Sequence, residues 1–333
     1  MRQRPPNSAL PHSHRWRSLL KAMQLTAPGE EISLVRARAP LGDFELTVCT
    51  DGTYLLDGGA MFGVVPKTLW QKRITPDAEN RIILGLNSVV VRTGRNTVVI
   101  ETGIGNKQTP KMQQIFQNRA LLPASLAAAG VDPAEVDIVI NTHLHFDHCG
   151  WNTTLHPDGR VTPTFPNARY FAHAGEVAHG RLQLDRDRVS YLSPNYDPLI
   201  ESGQMTLLDD AAILADGAIC PGISVELFPG HTAHMMAVHI HPVREVESRP
   251  AGSSATPHAC YIGDLIPTAR HLDPTWVMGY DLDPLRCIEE RKRFYSRAIP
   301  EQWMVLFTHD NDTPIAHIAL NDKGKPVVAG WSV

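Results

Sequence analysis

Along the chain, short runs of aliphatic and β-branched residues alternate with turn-forming residues. Phe44–Cys49, Arg81–Arg92 and Thr97–Glu101 are such runs, punctuated by Asp51-Gly52, Gly58-Gly59 and Thr93-Gly94; this is the pattern of strands closed by turns. Leu121–Ala129 is alanine-rich and apolar and stops at Gly130, which predicts a helix. A buried strand is expected over Val136–Asn141, a strand over Arg169–Ala172 and a helix over Glu176–Arg188. Ile223–Phe228, Met236–His241 and Ala259–Ile262 read as further strands, with the polar run Arg244–His258 as the surface loop joining the last two. Asp283-Pro284 opens a helix to Arg297, and Trp303–Phe307 is a final core strand. Strands in both halves, each followed by helical stretches, predict an α+β architecture of layered sheets.

No compositional break divides the interior, so one domain is expected over residues 36–333. Residues 1–35 begin with an Arg-, Pro- and His-rich stretch and read as a disordered tail, within which Met23 offers a second start. The 333 residues are 43% hydrophobic and 20% charged, the balance of a globular protein. A net charge of −4 without a basic stripe argues against a nucleic-acid partner. No apolar run is long enough to cross a membrane. Cys49, Cys149, Cys220, Cys260 and Cys287 contain no CxxC pair; reduced thiols and a cytoplasmic location are expected. The expected partner is a small-molecule substrate, and a homodimer is the expected oligomer.

The chemistry concentrates in Asn141-Thr142-His143-Leu144-His145-Phe146-Asp147-His148-Cys149-Gly150. His143 and His145 are two apart, so on an extended chain they point the same way, and the following turn can bring round Asp147 and His148. Imidazole suits zinc and other borderline metals, and a carboxylate adds negative charge where cations lie close together. One loop cannot supply every ligand of a two-metal site. His231, Asp264 and His309 each follow a predicted strand (Ile223–Phe228, Ala259–Ile262 and Trp303–Phe307) and are the candidates to complete it.

Taken together, His143-Leu144-His145-Phe146-Asp147-His148, Pro229-Gly230-His231, Gly263-Asp264 and Thr308-His309 resemble the metallo-β-lactamase superfamily over about residues 43–312. The resemblance implies a four-layer αββα sandwich with the site at one edge of two sheets. It implies His143, His145 and His231 on one metal, Asp147, His148 and His309 on a second, and Asp264 bridging them. Two divalent ions, zinc by preference, would share a bridging hydroxide that attacks a carbonyl or phosphoryl centre, with Asp147 as the catalytic residue that orients it or carries a proton. Where the family commonly has Asp-Thr-Gly before the metal loop, this chain has Glu101-Thr102-Gly103, and Glu can supply the same charge with a longer reach.

Within that superfamily, the lactonase and organophosphate-hydrolase-like branch is the nearer likeness. It rests on Gly263-Asp264-Leu265-Ile266, on Asp281-Leu282-Asp283-Pro284 and on a long early loop, Asp57–Trp70. Pro267 stands where acyl-homoserine lactonases often carry a tyrosine that orients the substrate carbonyl. A lactonase or esterase is the expected activity, with phosphotriester turnover on the side. The alternatives are a glyoxalase-II-like thioesterase and a non-hydrolytic metal-binding relative. Phe62, Trp70 and Trp151 are candidates to line the substrate pocket. Cys149 reads as a small buried hydrophobe, His234 as a supporting or packing residue, and His239 and His241 as edge or surface residues.

Overall fold

A computed structural model describes residues 32–243 and 257–330. The expected tail before residue 32, with Met23, and nearly all of the polar run Arg244–His258 lie outside the described residues. Residues from Leu34 onward form one compact unit. Its described residues hold sixteen strands, β1 Val35–Leu41, β2 Phe44–Asp57, β3 Arg81–Arg92, β4 Thr97–Ile100, β5 Ile138–Ile140, β6 Thr153–Leu155, β7 Val161–Pro163, β8 Arg169–His173, β9 Met205–Leu208, β10 Ala218–Cys220, β11 Ile223–Leu227, β12 Met236–Ile240, β13 Ala259–Tyr261, β14 Met304–Leu306, β15 Ile315–Leu320 and β16 Pro326–Ala329.

Two seven-stranded sheets result, ordered β1-β2-β3-β4-β5-β8-β9 and β10-β11-β12-β13-β14-β15-β16, with β6 and β7 as a separate pair. Their facing sides bury one continuous core. Val89, Val91, Val98, Ile100, Ile138 and Ile140 of the first sheet meet Val225, Val238, Ile240, Tyr261 and Leu306 of the second. The spacing of two along each strand puts these side chains on one face. Each such side chain taken from water contributes about 1.5–3 kcal/mol.

Helices cover the outer faces. Phe294, Tyr295 and Ala298 of the helix Pro284–Ala298 pack on Ala237, Cys260, Val305 and Phe307 of the second sheet. On the first sheet the helix Leu122–Ala128 is pinned where Ser125 Oγ accepts from Thr50 N at 2.9 Å. The chain therefore has the four-layer αββα arrangement.

Several local expectations need correction. Asp51-Gly52 does not reverse the chain. β2 runs on to Asp57 opposite Arg81, and the pair sits in a register shift between Thr50 and Thr53, with Gly52 at φ +98°. Gly58-Gly59 opens a helical turn, Gly58–Phe62, capped by the Asp57 carboxylate on Ala60 N at 2.8 Å. The early stretch Asp57–Trp70 is thus partly helical, with a second turn at Lys67–Trp70. The helix expected to Arg188 spans Ala174–Leu182 and stops at Gln183, whose φ is +49°. Leu182, Leu184 and Val189 are exposed, so no apolar stripe supports a further turn. Among the described residues no helix is long and apolar enough to cross a membrane.

Candidate metal centre

The strand β5 ends at Ile140, and the first histidine, His143, comes three residues later. Its path is fixed by buried polar groups. Asn141 Nδ2 donates to the His148 carbonyl at 3.1 Å, and Glu101 Oε1 accepts from Thr142 N at 2.7 Å. A single helical turn, Phe146–Cys149, then swings Asp147 and His148 round. Glu101 sits at φ +61° with its second oxygen, Oε2, 3.6 Å from His148 Nδ1. Its longer arm therefore reaches both the loop backbone and the His148 ring.

The remaining candidates arrive from the second sheet. His231 follows β11, Asp264 follows β13 in a short 3-10 turn, and His309 follows β14 with its N–H on the Pro267 carbonyl at 2.9 Å. His145 Nδ1 lies 3.1 Å from both His143 Nε2 and His231 Nε2. His309 Nε2 lies 3.2 Å from His148 Nε2 and 3.7 Å from Asp147 Oδ2. Between the two groups stands Asp264. Its Oδ2 is 3.4 Å from His231 Nε2 and 3.5 Å from His148 Nε2, while Oδ1 is 3.1 Å from His309 Nε2.

The far side of three of these rings shows what faces inward. His231 Nδ1 is 2.9 Å from Asp281 Oδ1, His309 Nδ1 is 2.9 Å from the Gly85 carbonyl, and His143 Nδ1 is 3.0 Å from the Thr142 hydroxyl. A carboxylate and a carbonyl can only accept, so His231 and His309 donate from Nδ1, and in the neutral ring a metal would meet, Nε2 presents a bare lone pair. Bare nitrogens and carboxylate oxygens facing one another in a buried space call for cations, and this donor set fits borderline divalent metals. Burial and the neighbouring imidazoles hold His143 and His145 well below the usual histidine range, so both are neutral. Burial opposes ionisation of Asp264, yet His309, His148 and His231 outweigh it and hold its carboxyl well below the usual range.

A sequence profile described as the metallo-beta-lactamase superfamily matches residues 83–243. A probable metal-dependent hydrolase from Staphylococcus aureus has the same fold. Its TM-score is 0.74 at 27% identity, with 89% of this chain and all (100%) of that one covered. The family match covers just under half of this chain, and the metallo-β-lactamase fold extends over the rest of the compact unit. Two further structures share the fold. A hydrolase described as AbOPH in the beta-lactamase superfamily gives TM-score 0.70 at 19% identity, covering 91% of this chain and 100% of that one. AidC, a dizinc quorum-quenching lactonase solved with a product, gives 0.70 at 18% identity with the same coverage, 91% and 100%.

In this chain the two sheets bring together His143, His145, Asp147, His148, His231, Asp264 and His309. The proposed pocket aromatics are elsewhere. Phe62 is fully buried, stacked between Trp70 at 5.3 Å and His271 at 4.5 Å. Trp70 is buried with it against Gly58, and Trp151 is buried with its indole N–H on Asp51 Oδ1 at 2.8 Å. All three fill core rather than face the metals, because the helical turns of the early stretch fold Phe62 and Trp70 inward. Cys149 is buried, and Asn195 Nδ2 lies 3.7 Å from its sulfur. His234 stacks on His173 at 4.6 Å, away from the ligand group. His239 is buried on an internal strand, contrary to its reading as an edge or surface residue.

Three residues that the sequence did not single out support the site. The Tyr54 hydroxyl donates to Asp147 Oδ2 at 2.9 Å. Glu176 accepts from Thr232 Oγ1 at 2.6 Å and from the Tyr191 hydroxyl at 3.1 Å, tying the His231 loop to the ring that abuts His145. Tyr280 is 37% exposed. Burial, with the Asp57 and Asp147 carboxylates, pushes its phenol up to about 12.

Proposed function

We propose that this protein is a two-metal hydrolase that opens ester or lactone carbonyls of small-molecule substrates, with zinc as the native ion. The position of Asp264 carries this reading: its two oxygens address both histidine groups at once. His143, His145 and His231 would hold one ion, Asp147, His148 and His309 the other, with Asp264 between them. When bound, two such ions supply Lewis acidity and a water acidic enough to be a nucleophile near neutral pH.

The rest of the chemistry falls to the chain's own groups. Asp147 Oδ2, steadied by Tyr54, is placed to take a proton from attacking water and return it to the leaving oxygen. Buried partners at Asp281, Gly85 and Thr142 lock the ligand rings, so little reorganisation is needed on reaction. Pro267 offers no phenol, and its carbonyl supports His309 instead. Tyr280, half-exposed and on the Asp147 side, is the phenol available to a substrate carbonyl.

The test is metal-loaded protein against a panel of lactones, aryl esters, thioesters and phosphotriesters. Lactones and esters should be the best substrates, with activity lost on chelation and in Asp264→Ala. Two bound metals with no turnover of any substrate in the panel would overturn the proposal.

A further inference from the structure

A second imidazole cluster lies at the other end of the β11–β12 ladder. Leu227 pairs with Met236 near the catalytic ligands, whereas Ile223 pairs with Ile240 at the far end. There His239 of β12, His241 just beyond it and His258 just before β13 bring one ring nitrogen each within 4.8 Å of the others. His239 Nδ1 is 2.9 Å from His258 Nε2, and the His241 and His258 ring centroids are 4.0 Å apart. His239 and His258 are buried, and His241 is half-buried.

We propose that His239, His241 and His258 form a third metal site, for a borderline divalent cation such as zinc, nickel or copper(II). His239 Nε2 is 2.8 Å from Glu226 Oε2, and this carboxylate is also gripped by Arg297, with both its oxygens at 2.8 Å from Nη1, and by Arg293. A carboxylate so held can only accept, so the proton of His239 sits on Nε2 and its Nδ1 is a bare lone pair. This is the device that orients His231 through Asp281, a carboxylate behind a ligating imidazole. His258 Nε2 then points at that lone pair. In the metal-free chain it donates its proton there; a cation takes that place when His258 shifts its proton to Nδ1, with no proton gained or lost.

Trp303 fixes the His258 ring from one side, with centroids 3.9 Å apart. Only nitrogen donors converge, which excludes hard ions such as calcium and magnesium. The two guanidiniums behind Glu226 weaken the site relative to the catalytic pair, so it fills last and empties first. A comparable group, His173, Asp210 and His234, does not qualify. Gly175 N donates to His173 Nδ1 at 3.0 Å, which places that ring's proton on the Nε2 atom facing Asp210.

The experiment uses full-length protein without an affinity tag, loaded with zinc or copper(II), and reads metal content and the copper EPR spectrum. Wild-type protein should hold one equivalent beyond the catalytic pair, with a nitrogen-rich copper signal. His241→Ala and His258→Gln should each lose that equivalent and keep full hydrolytic activity. Should His258→Gln fold poorly, the half-buried position of His241 leaves His241→Ala as the deciding variant. In Asp264→Ala the outer site should still load, which separates this proposal from the reading of the catalytic centre. Identical metal content in wild type and His241→Ala would overturn it.

Discussion

Asp281 Oδ1 lies 2.9 Å from His231 Nδ1, and both side chains are buried. The same carboxylate accepts from Met278 N at 2.9 Å through its other oxygen. One residue thereby orients the ring of a proposed ligand and shapes the turn carrying Tyr280. Replacing Asp281 with Asn keeps the volume and removes the charge. Metal affinity should fall about 10–100-fold, read by competition with a chromophoric chelator. Unchanged affinity would mean that Asp281 only shapes the turn.

Tyr54 touches the proposed proton carrier without facing bulk water. Tyr54→Phe removes the 2.9 Å bond to Asp147 and a longer, 3.4 Å contact with His309 Nδ1. We expect kcat to fall about 10-fold or more, with KM and metal content unchanged and the acid limb of the pH–rate profile displaced. A change in metal content alone would make Tyr54 a support of the ligand group instead.

Gly150 follows the histidine turn where the backbone of Ile104 passes against it. A Cβ there would lie 2.1 Å from the Ile104 carbonyl carbon and 2.5 Å from Gly105 N. Backbone cannot yield as a side chain end can. Gly150→Ala should cost about 2–3 kcal/mol in urea unfolding, together with weaker metal binding. Wild-type stability would show that the two segments can part freely.

Glu226 gives the clearest pH dependence. Burial raises its carboxyl, but bonds from His239, Arg297 and Arg293 outweigh this and bring it down to about 2 from 4.5. Its stabilising contribution is therefore full above pH 4.5 and lost as pH falls toward 2. In chelated protein, wild type should lose stability across that window more steeply than Glu226→Gln. Parallel acid-unfolding curves would contradict the assignment.

The clustered histidines and aspartates were legible because most of them are neighbours in sequence. His143, His145, Asp147 and His148 crowd one turn, and the other three each follow a strand that hydrophobic patterning marks. Asp281 lies in a stretch that carries only a likeness to relatives; its partner His231 is 50 residues away along the chain, so the pairing emerges only on folding. Tyr54 was hidden for a related reason. Register along β2 places it, and the Asp51-Gly52 irregularity, read as a turn, disguised that register. The aromatics Phe62, Trp70 and Trp151 were misplaced because a tryptophan in a core and one lining a pocket look alike as letters. β1, β6, β7, β9, β10, β15 and β16 went unassigned; most are only three or four residues long, and the alternation in Val35–Leu41 carries small alanines at its inner apolar positions.

The order of the ligands along the chain has a consequence for how the protein matures. His143 to His148 leave the ribosome long before Asp264 and His309, yet Asp264 joins the two halves of the centre. An unfinished chain can offer at most an open set of histidines, which would hold metal loosely and exchange it. Tight capture must wait until the second sheet has closed on the first, so retained metal serves as a certificate of completed assembly.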